Sequence, residues 1–129
     1  MSETQKPGKV LNIALWITQF LLAATMIWAA SMKLFKPAEE LALVWPWTAE
    51  HPSLVKITGV IDLLGALGLI LPMLLNKAPR LTQYTAFAII VLMVAASVFH
   101  ISRGEAEAIG LNIFFALLAT FVAWGRRNV

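Results

Sequence analysis

Cysteine is absent, tyrosine occurs once, and only 13% of the 129 residues are charged. Without cysteine the chain holds no disulfide framework, no CxxC redox pair, and no thiolate ligands for zinc or an iron–sulfur cluster. Histidine occurs twice, as His51 and His100. A bis-histidine haem needs both at one depth, yet His51 falls in a connection, and a zinc site lacks a third ligand. No metal and no cofactor attachment motif is therefore expected within the chain. Acidic side chains number 7 against 10 Lys and Arg, for a formal net charge of +3.

Apolar side chain is what the sequence has in abundance. It is 60% hydrophobic, with a mean hydropathy of +0.79. Soluble domains are about 45–50% apolar and about 25% charged. A water-soluble protein of this size has too small an interior to hide so much apolar surface, so lipid is the expected solvent. The pI of 9.6 resembles a nucleic-acid signal. The basic residues, however, gather at the ends of apolar runs, as membrane topology requires, and no nucleic acid is expected as partner.

A spanning helix needs about 20 residues. Four such runs, at about 10–35, 54–75, 81–100 and 108–124, account for the chain as a single transmembrane domain over 1–129. The expected class is all-α, an integral membrane four-helix bundle. The first run follows Lys6-Pro7-Gly8-Lys9, like a signal peptide, but it exceeds an h-region of about 7–15 residues and no Ala-x-Ala site follows. It reads as a retained helix, ended by Lys33, Lys36 and Pro37. Its face with Ala30, Ala29, Met26, Thr25, Leu22, Gln19 and Thr18 is smaller and more polar than that with Trp16, Phe20 and Ile27, and suits helix contact. Between the first and second runs, residues 37–47 read as a short helix at the membrane interface. Proline opens it, Glu39 and Glu40 follow, and Trp45 and Trp47 suit the headgroup level. Ser53 is the expected N-cap of the second run, and Pro72 is expected to kink its last part.

Lys and Arg counts orient the bundle. Lys6, Lys9, Lys77, Arg80, Arg126 and Arg127 lie on one side; Lys33, Lys36, Lys56 and Arg103 lie on the other with nearly all the acids. The bias puts both termini in the cytoplasm of a multi-pass cell-membrane protein. The inner half of every helix reads as packed Leu, Ile, Val and Phe. The outer third is different: Asp62, Lys33, His100, Arg103, Glu105 and Asn112 converge there from all four helices. An ionisable group inside a membrane helix costs about 2.5–3.5 kcal/mol on insertion scales, so Asp62 points to a partner or a function. As a functional group it would accept a proton or bond a quinone-like ring; as a structural one it would pair with Lys33 or Asn112. Lys33 would attract an anionic ligand or snorkel to the headgroups. His100 would shuttle protons or simply bond a neighbour. Arg103-Gly104-Glu105 would form a clamp or a tight turn, and Asn112 a polar staple.

Lys33-Leu34 closing the first helix, Gly59-x-x-Asp62-x-x-Gly65-x-x-Gly68-x-x-x-Pro72 in the second, and His100 with Arg103-Gly104-Glu105 ahead of Asn112 resemble the DoxX-like family over nearly the whole chain. The resemblance implies a small four-helix membrane protein. It further implies a link to quinone-dependent oxidoreductase systems, including thiosulfate oxidation, with quinone as the implied cofactor and other redox subunits as implied partners. Many members carry Glu where this chain has Asp62. The leading expectation is thus an accessory or quinone-interacting subunit of a membrane oxidoreductase. A non-catalytic assembly or scaffold protein is the alternative, and a small transporter ranks third. Whether the chain is itself an enzyme, and whether it forms a homo-oligomer, stay open at this point.

Overall fold

Long apolar runs interrupted by prolines and charged pairs fold as helices with short connections. The computed structural model describes residues 7–129, and Lys6 of the basic N-terminal flank lies outside them. Five α-helices follow in order: α1 Lys9–Phe35, α2 Ala38–Val44, α3 Pro52–Leu74, α4 Arg80–Ser102 and α5 Gly110–Gly125. Single 3-10 turns at Pro46–Ala49 and Ala106–Ile109 precede α3 and α5. No strand occurs among the described residues. Four of the helices, α1, α3, α4 and α5 with its preceding turn, are long and apolar enough to cross a membrane. They form an up-and-down ring in which α1 packs on α3, α3 on α4, α4 on α5 and α5 back on α1.

Exposure is inverted relative to a soluble bundle. Val91 is 67% and Leu117 63% exposed, whereas Gln19, Thr82 and Asp62 are buried. Only a hydrocarbon solvent makes that distribution favourable. Most of the polar face expected on the first helix packs: Thr18, Gln19, Leu22, Met26 and Ala30 are buried, Thr25 and Ala29 are only half-buried, and Phe20 and Ile27 face outward.

Local chemistry sets the ends. Lys36 is extended, at φ −77° and ψ 145°, because Pro37 disfavours a helical residue before it. The short helix ahead of the second span divides in two: α2 ends at Trp45, whose own extended backbone precedes Pro46. The second span opens at Pro52, with His51 in the cap position and no side-chain cap bond, instead of at Ser53. Proline suits the first turn because the N–H it lacks has no helical partner there.

Pro72 leaves α3 helical for two more residues, to Leu74. Its missing N–H frees the carbonyl four residues earlier, at Gly68. The Thr82 hydroxyl of α4 donates to that carbonyl at 3.0 Å. The adjacent Leu69 carbonyl accepts from Gln19 Nε2 of α1 at 2.6 Å. Neighbouring helices thus meet the backbone polarity that the proline exposes. Gly59 and Gly68 let neighbouring helices approach closely. A Cβ at Gly59 would lie 3.0 Å from Lys33 Cβ, and one at Gly68 would collide with Thr85. The core between the two ends of the bundle is apolar, built on Leu22, Met26, Ala66, Leu69, Ala86 and Ile89.

Candidate functional site

The helix register carries Lys33, in the last turn of α1, across Gly59 to the buried Asp62 of α3. Lys33 Nζ donates to Asp62 Oδ2 at 2.8 Å, and Asp62 is 5% exposed. Lys56, one turn into α3, donates to the Lys33 and Leu34 carbonyls at 3.3 and 3.2 Å, capping the end of α1. Two indole rings cover the pair: Lys33 Nζ lies 5.8 Å from the ring centre of Trp45 and 5.9 Å from that of Trp47. Cation–π attraction strengthens where water is excluded. The tryptophans therefore act on the ion pair as well as marking the interface.

A second polar group forms where α4 ends. Gly104 adopts φ 76°, a backbone state open to glycine. The chain turns back there, so that the Glu105 amide donates to the His100 carbonyl at 2.8 Å. The Glu105 carboxylate then accepts from His100 Nδ1 at 2.8 Å and from Arg103 Nε at 3.2 Å. A carboxylate only accepts, so Nδ1 carries the proton of the first bond. The His100 bond holds the Glu105 carboxyl below its ordinary range, and Arg103 adds to the effect. Arg103 also pairs with Glu50 from the first connection. Its guanidinium sits 5.7 Å from the Phe99 ring centre.

Of the six residues expected to converge, the structure brings five into two groups: Lys33 with Asp62, and His100 with Arg103 and Glu105. Trp47 joins the groups, with its ring 5.6 Å from Phe99 and its other contact on Lys33. Asn112 is half-buried on α5 and bonds neither group. Glu50, the fourth member of the second group, carries no sequence signal that separates it from any loop acid.

The structure departs from the sequence reading at the opposite end. The inner half was expected to be apolar, yet Arg126 is 1% exposed. Its Nε donates to Gln19 Oε1 and its Nη1 to Asn12 Oδ1, both at 2.7 Å. Its guanidinium lies 5.5 Å from the Trp16 ring centre. Gln83 Nε2 of α4 donates to the Ala123 carbonyl of α5 at 3.1 Å. Gln19 was legible as part of a packing face and Arg126 as a basic flank, but nothing in the sequence joined the two. Among the described residues, no cluster of three or more His, Cys, Asp or Glu could hold a metal.

An apolar groove of about 180 Å³ opens between α3 and α4. Ile61, Leu64 and Gly65 line it from α3, and Thr85, Ala88 and Ile89 from α4. Met26 of α1 lines it too, and Gly65 makes room for that side chain, since a Cβ there would meet the Met26 methyl at 2.6 Å.

The model of the DoxX-like family matches residues 17–122. That range contains every residue of both groups, and the chain belongs to that family. Neither the curated proteins nor the solved structures gave a match.

Proposed function

We propose that this DoxX-like membrane protein is a subunit of a redox system that positions a quinone, or another lipid-soluble redox molecule, at the outer end of its bundle. The observation that carries the reading is the buried Lys33–Asp62 pair beneath Trp45 and Trp47, on the helix whose next turn lines a lipid-side groove. A quinone ring is apolar and flat, with two carbonyl oxygens that accept hydrogen bonds. Lys33 has three donors and gives one to Asp62. Asp62 is the group that would take or return a proton as such a ring is reduced or oxidised. His100 and Glu105 are a second proton-carrying pair within the same end. The Lys and Arg bias supports an outer-face location, with both termini in the cytoplasm. Electrons would come from a bound molecule or another subunit.

The test is titration of the purified protein with a ubiquinone or menaquinone analogue, followed by quenching of tryptophan fluorescence. Saturable quenching that weakens in Asp62→Asn and Lys33→Met is expected. Absence of binding, or binding indifferent to both substitutions, refutes the reading.

A scaffold role is the second reading, favoured by the closure of the ion pair: Asp62 is already satisfied by Lys33 and sealed from solvent. It predicts that the same substitutions lower stability and leave no ligand affinity to change. A transporter fits less well, because the apolar core from Leu22 to Ile89 separates the outer polar groups from the other end.

A further inference from the structure

At the end of the bundle opposite Asp62, the first turns of α1 and α4 meet the last turns of α3 and α5. A cavity of about 720 Å³ lies among them. Lys9, Arg80, Arg126 and Arg127 line it, and among the described residues no acidic side chain does. Neither α1 nor α4 has an acidic residue in its first turn or a side-chain cap, so neither helix dipole is neutralised from within its own first turn. A carboxylate at Val129, the last residue of the sequence, would offset only one of the four charges.

Arg126 is the unusual member. Its two hydrogen-bonded acceptors, Gln19 and Asn12, are neutral amides. Its remaining nitrogen, Nη2, is buried and has no partner among the described residues. Burial therefore pulls its pKa below the ordinary guanidinium value, with no anion to restore it. A buried cation bonded only to neutral groups is costly unless an anion completes the site. Arginine forks match the oxygens of phosphate in two-bond geometry, and the ends of helices long enough to span a bilayer reach its headgroups.

We propose that this cavity binds a phosphate group, with Arg126 as its fixed anchor and Lys9, Arg80 and Arg127 as its outer arms. The phosphate belongs either to an anionic phospholipid headgroup or to a soluble phosphate compound. This site is separate from the outer groups and does not depend on the redox reading.

The test follows thermal unfolding of the full chain in two arms. One compares inorganic phosphate with chloride at equal ionic strength in neutral detergent. The other compares phosphatidylcholine vesicles with and without phosphatidylglycerol. In at least one arm Tm is expected to rise by roughly 5 °C at saturation. Lys9→Gln/Arg80→Gln, which leaves the Gln19–Arg126 contacts untouched, should lose most of that rise, and Arg80→Gln alone part of it. Lys36→Gln, at the far end, should keep all of it. A rise in the lipid arm alone assigns the headgroup; a rise in the phosphate arm alone assigns a soluble ligand. No rise in either arm, or a rise the double variant retains, overturns the proposal.

Discussion

The Lys33–Asp62 pair makes an asymmetric prediction. At 2.8 Å, two unit charges attract by about 6 kcal/mol at an effective dielectric constant of 20. Much of that attraction offsets desolvation, so the net worth of the intact pair is small. Removing one partner is another matter, because the other charge stays buried; such losses run to about 3–5 kcal/mol. The two partners are not equivalent. Lys33 sits in the last turn of α1 on a long stem and can swing its ammonium outward. Asp62 is short, lies ten residues inside α3 and is 5% exposed. Lys33→Met should therefore cost about 3–5 kcal/mol, and Asp62→Asn about 1–2 kcal/mol. The double variant should be more stable than Lys33→Met alone, with a coupling of about 2 kcal/mol. Equilibrium unfolding in mixed micelles with increasing SDS, followed by tryptophan fluorescence, measures all four corners of the cycle. Equal single losses that simply add in the double variant would show that the pair does not hold α1 to α3, and would sink the reasoning.

Two further outcomes are expected. Gln19→Leu strands Arg126 Nε and the Leu69 carbonyl together. At about 1–3 kcal/mol per buried unsatisfied group, it should lower stability by about 2–6 kcal/mol in the same assay. Glu105 gives the pH dependence. Its folded pKa is depressed, so its contribution is fully present above its ordinary value of 4.5 and is lost as pH falls through the lower, folded value. Wild-type Tm should fall on acidification below 4.5 more steeply than that of Glu105→Gln; parallel curves would mean that the His100–Glu105 bond contributes nothing.

The spans were legible because hydropathy and length leave little choice in lipid. The helix ends were legible where proline acts on its neighbour, as at Lys36 before Pro37. They were less so at Pro52, where Ser53 offered a better capping side chain than the one used. Asp62 and Lys33 could be paired from the page because both are rare charges at matching depth, and Gly59 between them has no side chain to hold the helices apart. Asn112 failed for the converse reason. Depth alone placed it near the cluster, but depth does not fix rotation, and its side chain bonds neither group.

Arg126 shows where one-dimensional charge reading stops. A basic pair at the end of a last helix looks the same whether it faces water or protein, and positive-inside counting treats its members alike. The structure separates them: Arg127 is exposed over Trp124, and Arg126 is buried against Gln19. The residue that decides is Gly125. A Cβ there would collide with Leu15, which is itself fully buried. Glycine thus lets the end of α5 close onto α1, and that approach carries Arg126 inward to the amides of Asn12 and Gln19. The cue was present as a glycine beside an arginine at a helix end, with Asn12 and Gln19 two turns apart on another helix. It becomes informative only once α1 and α5 are known to be neighbours, which is a fact of the ring and not of either helix.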